Sequence, residues 1–142
     1  MTGRYDHALD PKKRITIPSG WRRAMGNPAF VFAMPDRKEK CVNILPKAQM
    51  DALLEKINEK ALFDPALNRH LQAIGSLIEQ LDLDVQGRIR ISDRLLRFAD
   101  LTTTVAMLGS FRMIKLWNPA ALAPEGDDAA ASLDAALKAM GM

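Results

Sequence analysis

The stretch LDPKKRITI, residues 9–17, organises the whole chain because it recurs as LDVQGRIRI at residues 83–91. In both copies an acidic residue precedes an arginine by four positions, and the three residues between them fit the tip of a β-hairpin. Isoleucines then alternate with polar residues, a pattern typical of a strand with one buried face. The identical residues, 74 positions apart, are Leu9 and Leu83, Asp10 and Asp84, Arg14 and Arg88, Ile15 and Ile89, and Ile17 and Ile91. The sequence therefore predicts a duplicated hairpin.

Each copy continues in the same way, with a short helix, an apolar strand, a turn and a last strand. Ser19 or Ser92 is a candidate for the residue that caps this helix. These segments are 18–26, 29–34, 35–40 and 41–45 in the first copy, and 92–100, 104–108, 109–111 and 113–117 in the second. One such unit is small for an independent core, so we expect the two copies to cover each other's apolar faces.

Two amphipathic segments separate the copies. Apolar residues recur at helical spacing through residues 48–61 and again through 64–80, where the pattern includes Ile78 and begins at a typical Asp64-Pro65 helix start. We expect these helices to pack against the sheets or against a neighbouring subunit. The predicted organisation is α+β, with a first repeat at 4–48, linking helices at 49–78, a second repeat at 79–121 and an acidic, alanine-rich tail at 122–142 that is a short helix or frays.

Charge is unevenly distributed along the 142 residues. The net charge of +3 combines +5 in residues 1–40, −1 in 41–80, +2 in 81–120 and −3 in the last 22 residues. Hydrophobic residues make up 48% and charged residues 26%, a composition typical of soluble globular proteins. The two basic stretches contain the two hairpins, and this asymmetry indicates a polyanionic partner.

Other chemistry is sparse. The single cysteine, Cys41, excludes an intramolecular disulfide and is typical of a buried, inert thiol. His7 and His70 have no neighbours at metal-ligand spacing, and Asp82 and Asp84 share one side of a strand without an accompanying nucleophile. We predict a protein that is not an enzyme, with no metal, cofactor or small-molecule substrate. No apolar run resembles a signal peptide or membrane span, which predicts a cytoplasmic protein without membrane association.

The hairpin tips have two interpretations. In both, the acid accepts hydrogen bonds from tip amides or pairs with its arginine, which fixes the direction of the guanidinium group. In the functional interpretation, Arg14 and Arg88 contact guanine edges, while Lys12 and Lys13 contact phosphates and Thr16 supports them. In the structural interpretation, which is favoured for a single copy, an Asp–Arg pair closes a turn with a solvated basic tip. Recurrence of the pair favours the functional interpretation.

The stretches GRYDHALDPKKRITIP (3–18), LDVQGRIRIS (83–92) and LGSFRMIKLW (108–117) resemble the MraZ family of bacterial transcription regulators. The doubled Asp-x-x-x-Arg motif is the most specific part of this resemblance. The resemblance implies two tandem AbrB-like swapped-hairpin units forming a pseudo-dimeric barrel, and assembly into a ring-like homo-oligomer. It also implies a nucleoid-associated protein that binds double-stranded DNA at repeated short boxes upstream of a division and cell-wall gene cluster.

The first tip departs from the family pattern, in which a glycine precedes the arginine. Gly87 keeps this glycine, whereas Lys13 occupies the position in the first copy. A left-handed backbone at this position would strain a lysine by about 1 kcal/mol. The lysine also adds a cation near the phosphates, so the two tips are expected to differ in shape or in preferred DNA sequence.

We therefore predict a sequence-specific DNA-binding regulator that acts as a repressor. The predicted DNA contacts are Arg14, Lys12, Lys13, Thr16, Arg88, Gln86 and Arg4, and the residues that support the tips are Asp10, Asp84 and Gly87. The alternative is a protein-interaction or antitoxin-like scaffold module whose basic tips are solvated. An enzyme would require Asp82, Asp84 and His7 to line one pocket.

Overall fold

The computed structural model describes residues 1–122 and 127–141. The strands are β1 (Arg4–Ala8), β2 (Arg14–Thr16), β3 (Phe30–Pro35), β4 (Val42–Leu45), β5 (Glu79–Asp82), β6 (Arg88–Arg90), β7 (Thr104–Gly109) and β8 (Ile114–Trp117). The helices are α1 (Ser19–Ala24), α2 (Lys47–Ala61), α3 (Pro65–Leu77), α4 (Asp93–Phe98) and α5 (Asp127–Ala139), and a 3₁₀ turn spans Pro119–Ala121. Each repeat supplies four of the described strands, which confirms the α+β organisation with two linking helices.

Six strands form one antiparallel sheet in the order β1-β7-β8-β4-β3-β5. Strand β1 of the first repeat pairs with β7 of the second, and β5 of the second repeat pairs with β3 of the first. Strands β4 and β8 join the two halves at the centre of the sheet. One arm of each hairpin therefore lies on the other repeat, which confirms the prediction of swapped hairpins.

The other two hairpin arms, β2 and β6, pair with each other in a separate antiparallel ribbon. Ile15 lies opposite Ile89, and both are 1% exposed. Ile17 and Ile91, just beyond the strands, belong to the same core as the inner residues of the six-stranded sheet. Burial of an isoleucine side chain contributes about 1.5–3 kcal/mol, so these four residues hold the ribbon firmly on the sheet.

The pseudo-dimeric barrel that the resemblance implies is not closed, because the β2–β6 ribbon and the six-stranded sheet are separate sheets. The two arms of each hairpin diverge after the tip, and each arm pairs with a strand of the other repeat. The β2 and β6 ladders are only three residues long and do not continue into the larger sheet. Apolar packing, rather than continuous strand pairing, joins the two sheets.

The linking helices form a hairpin of their own. Helix α2 buries Met50 and Ala61 and packs against α3 and β3. Helix α3 begins as predicted, with the Asp64 carboxylate accepting hydrogen bonds from the first-turn amides. Its predicted extension through Ile78 is wrong, because α3 ends at Leu77 and Ile78 has an extended backbone that leads into β5.

The two short helices begin differently. Ser92 caps α4, and its Oγ accepts a hydrogen bond from the Leu95 amide at 3.3 Å. Helix α1 instead begins after Pro18 without a side-chain cap, so of the two candidate serines Ser92 acts as a cap and Ser19 does not. The reason is positional, because Ser19 is already the first helical residue and proline occupies the capping position.

Helix α5 lies in the tail, where a short helix was one of the two expectations. Tail residues 123–126 and 142 lie outside the described residues. Across residues 1–122 and 127–141, no helix has the length and apolar character needed to span a membrane.

Candidate nucleic-acid interface

The carboxylate of Asp10 organises the first tip. Its Oδ1 accepts hydrogen bonds from the backbone amides of Lys12 at 2.9 Å and Arg14 at 2.8 Å, and its Oδ2 accepts one from Arg14 Nε at 2.7 Å. The Lys13 amide donates to Asp10 O at 2.9 Å, and the Asp10 amide donates to Arg14 O at 3.1 Å. One aspartate therefore fixes both the turn and the direction of the arginine side chain.

Asp84 builds the second tip with the same five hydrogen bonds. Its Oδ1 accepts from the amides of Gln86 and Arg88, both at 2.9 Å, and its Oδ2 accepts from Arg88 Nε at 2.6 Å. The Gly87 amide donates to Asp84 O at 2.9 Å, and the Asp84 amide donates to Arg88 O at 3.0 Å. The sequence predicted that the acid accepts hydrogen bonds from the tip amides or pairs with its arginine, and in the structure it does both at each tip.

Both aspartates are stabilised in their charged form. Partial burial alone would raise the pKa of Asp10, but the amide and guanidinium of Arg14 and the Lys12 amide outweigh it, so this pKa lies below its ordinary value. At Asp84 the Arg88 amide is the largest influence and, with the Arg88 guanidinium, lowers the pKa against partial burial. Both carboxylates are therefore ionised at neutral pH and hold their arginines in place.

The two tips are tied to each other across the repeats. The Ile17 amide donates to Gly87 O and the Ile91 amide donates to Lys13 O, both at 2.9 Å. Arg14 Nη1 also lies 4.0 Å from Asp84 Oδ2. Each tip is therefore anchored to the strand of the opposite hairpin, and the two tips form one surface.

The outward face of the β2–β6 ribbon is basic. Alternation along the strands buries Ile15 and Ile89, so the flanking residues project from the opposite face. On that face Arg14 lies opposite Arg90, and Thr16 lies opposite Arg88. Sequence reasoning did not include Arg90, although its alternation with Ile89 and Ile91 is the signal that places it there.

The arginines of the two tips are partly exposed. Their side chains are 27% exposed at Arg14 and 28% at Arg88. Each Asp–Arg pair engages the Nε of its arginine, and within the described part of the chain no hydrogen bond engages the Nη groups of Arg88. The Nη end of each guanidinium group can therefore meet an external acceptor while its aspartate holds the other side.

Gly87 is needed at the second tip for two reasons. Its φ of 77° is in the left-handed region, and a Cβ on it would lie within 2.5 Å of Arg22 Nε and Nη1. Arg22, on α1, donates from Nε to Ile17 O at 3.0 Å and brings a cation to the second tip. Sequence reasoning missed Arg22, because this contact joins the helix of one repeat to the tip of the other.

Lys13 adopts the same left-handed conformation at the first tip, with φ of 64°. The strain that the sequence predicted for this lysine is therefore present. Lys12, Lys13 and Gln86 are all exposed at the tips. Arg4, by contrast, lies at the far end of β1, about 13 Å along the strand from Ala8, and pairs with Asp6.

The residues considered for an enzyme are not brought together. His7 lines a cavity beside Tyr5 and Met107, whereas Asp82 lines a different cavity beside Glu79 and Arg90. Cys41 is buried, and burial raises the pKa of its thiol to about 11, as expected of an inert cysteine. Among the described residues, no group of three or more His, Cys, Asp or Glu side chains is placed to hold a metal ion.

Comparison with known proteins identifies relatives that match more than four fifths of the chain. A protein of Gluconacetobacter diazotrophicus is 31% identical, over 84% of this chain and 78% of its own length. Proteins of Anaeromyxobacter dehalogenans and Clostridium acetobutylicum are 31% and 28% identical, over 84% and 82% of this chain and 84% and 80% of their own lengths. All three are named "Transcriptional regulator MraZ". No family model matches the chain.

The swapped-hairpin fold, the basic ribbon and these relatives together define a class of protein, the transcriptional regulators built from tandem β units. Relatives at 31% identity over more than three quarters of both chains establish the family. The chain belongs to the MraZ family.

Proposed function

We propose that this protein is a sequence-specific regulator of transcription that contacts double-stranded DNA through the outward face of the β2–β6 ribbon and its two tips. The observation that carries the proposal is the placement of Arg14, Arg88 and Arg90 on one face of a ribbon whose other face is buried. A two-stranded ribbon has the width to enter a major groove, and arginine is the side chain best suited to guanine O6 and N7.

The aspartates act through the arginines rather than on the DNA. With Nε held by Asp10 or Asp84, the Nη groups of Arg14 and Arg88 are the donors presented to a base or a phosphate. This arrangement reduces the conformational freedom that each arginine would lose on binding. Gly87 supports the second tip, because its lack of a Cβ leaves room for Arg22.

The remaining candidate residues supply charge and positioning. Lys12 and Lys13 contact phosphates beside the first tip, Arg90 and Arg22 add cations around the ribbon, and Thr16 and Gln86 donate or accept at the groove edge. Arg4, at the far end of β1, contacts a flanking phosphate. The protein acts by binding alone, without catalysis or a cofactor.

The biological setting proposed here follows from the family resemblance. The protein represses a division and cell-wall gene cluster through repeated short boxes, and works in the cytoplasm on the nucleoid. A single ribbon reaches few phosphates, so tight binding requires several copies in a ring-like homo-oligomer that engage successive boxes. Sedimentation with and without multi-box DNA measures this assembly directly.

The proposal is tested by footprinting and mobility shift on the DNA upstream of the protein's own gene. Neutralisation of about six phosphates gives a salt slope near −5 in a plot of log affinity against log salt. Arg14→Ala is expected to remove the preference for specific boxes. Lys12→Ala is expected to weaken all sequences and flatten the salt slope by about one.

Arg69→Ala is the matched control, because Arg69 is exposed on α3, away from the ribbon. Its box preference and salt slope should equal those of the wild type. Unchanged discrimination by Arg14→Ala would refute base readout by the tips. Absence of DNA binding at physiological salt by the folded wild-type protein would favour the scaffold or antitoxin-like alternative.

A further inference from the structure

The two tips have the same backbone conformation but differ in the side chains that they carry. Five corresponding hydrogen bonds hold each tip, and their lengths agree within 0.1 Å. The residue before the arginine is left-handed in both tips. Matching backbones present the side chains at three corresponding positions in the same way, so the difference between the tips lies in the chemistry of those side chains.

The first tip carries cationic side chains, whereas the second carries uncharged ones. The first tip carries Pro11, Lys12 and Lys13, whereas the second carries Val85, Gln86 and Gly87. Val85 is fully exposed at 100%, and Gln86 is also exposed. One exposed valine alone would mean little, since proteins expose single apolar side chains commonly. Here it lies beside an exposed amide on a rigid tip whose counterpart carries two cations.

We propose that, in addition to the arginines, the second tip reads an A·T pair through Gln86 and Val85, whereas Lys12 and Lys13 of the first tip anchor phosphates. This inference rests on the proposed function, and it assigns different tasks to two tips that the sequence duplication made alike. It also predicts that each DNA box is directional, because a pseudo-symmetric ribbon with unlike tips reads unlike half-sites.

The major-groove chemistry of an A·T pair fits the second tip. A glutamine amide pairs with adenine N6 and N7, and an apolar side chain contacts the thymine C5-methyl group of the same or the next pair. Gln86 is two residues from Arg88 on one tip, so its adenine should lie close to the base that Arg88 contacts. Lysines at the first tip interact with phosphates of any sequence and therefore add affinity without this discrimination.

The experiment is selection of binding sites from a randomised duplex library, followed by titration of the selected box. The wild-type pool is expected to contain an A·T preference at one position on one side of each box. Gln86→Ala should make that position random and weaken the selected box by about 5- to 150-fold, with an unchanged salt slope. Val85→Ala should reduce the preference for thymine over uracil at the paired base.

A grafted tip provides the strongest comparison. The double variant Val85→Pro with Gln86→Lys gives the second tip the side chains of the first while keeping Gly87, which Arg22 requires. None of the five tip hydrogen bonds uses the amide at position 85, so proline should be accommodated. The grafted protein should lose the A·T position and show a salt slope that is steeper by about one. Gln72→Ala, at an exposed position on α3, is the control and should select the wild-type box.

The outcomes separate this inference from the proposed function. A wild-type protein that selects no sequence at all would overturn both. A wild-type protein that selects a box which Gln86→Ala selects equally well would overturn the division of labour between the tips and leave the DNA-binding function intact. A uniform loss of affinity in Gln86→Ala, with the base preference retained, would likewise overturn the division of labour between the tips and leave the DNA-binding function intact.

Discussion

The two repeats keep the same tip but support it differently. Both retain the aspartate and arginine that make the five tip hydrogen bonds. The residue with left-handed backbone is Lys13 in one repeat and Gly87 in the other. The short helix follows a proline without a side-chain cap in the first repeat and a capping serine in the second. What duplication preserved is the hydrogen-bonded frame that aims the arginine.

The neighbours of the tips also differ. Arg22 packs its guanidinium group against Gly87, and the residue 74 positions later, which corresponds to Arg22, is Leu96. An arginine over the glycine tip is thus matched by a leucine in the other half. The cation beside the second tip is therefore supplied by Arg22 of helix α1, whereas the first tip contains two lysines of its own.

The largest change in stability is expected from Gly87→Lys, which gives the second tip the residue that the first tip has at the corresponding position. A left-handed lysine costs about 1 kcal/mol, and displacing Arg22 loses its hydrogen bond to Ile17, worth about 1 kcal/mol more. We expect the free energy of unfolding in urea to fall by about 2 kcal/mol. In the Arg22→Ala background, Gly87→Lys should destabilise the protein less, because no Arg22 side chain is left to displace. The effects of the two substitutions in the double-mutant cycle should therefore be non-additive. Strict additivity would refute the contact.

A smaller effect is expected at the helix starts. Ser92→Ala should destabilise the protein by about 1 kcal/mol, because Ser92 Oγ caps α4. The same hydroxyl donates to Glu79 Oε2 at 2.9 Å, which adds to the loss. Ser19→Ala is the matched control and should change the free energy of unfolding by less than about 0.5 kcal/mol. Equal effects in the two variants would show that the caps are not different after all.

The sequence predicted the parts of this fold that depend on local pattern. The doubled motif and the alternation through Ile15 and Ile89 predicted two hairpins, and the resemblance supplied the swap. Arg90 could have been included from the same alternation. Separation of the ribbon from the larger sheet was not predictable, because it depends on how far the arms of each hairpin diverge.

Contacts between the repeats explain the remaining differences. The apolar spacing of α3 continues to Ile78, but pairing of β5 with β3 competes for the chain and ends the helix earlier. The contact of Arg22 with Gly87 joins residues 65 positions apart, and no local pattern reports it. Local signals therefore predicted which elements form, and contacts between the repeats decided where some of them end.

The converse substitution at the first tip, Lys13→Gly, should have the opposite sign. Glycine accepts the φ of 64° without strain, so we expect the free energy of unfolding to rise by up to about 1 kcal/mol. Lys12→Gly is the control, since Lys12 is not among the residues with positive φ. If Lys13→Gly also weakens binding to all DNA sequences alike, then Lys13 lowers the stability of the fold through its backbone strain and contributes to DNA affinity through a phosphate contact.

The last and smallest effect concerns pH, because the Asp10 and Asp84 side chains are 26% and 33% exposed and solvent screens their ion pairs. Their pKa values are lowered in the folded protein, so the unfolded chain takes up protons first as the pH falls. Their stabilising contribution is therefore complete above the ordinary aspartate pKa of about 3.9 and is lost as the pH falls through the lower folded values. We expect Asp10→Asn with Asp84→Asn to lower Tm at pH 7 and to make Tm fall less steeply in acid than in the wild type. A parallel decline in both proteins would show that other carboxylates, rather than the two tips, set the acid limit.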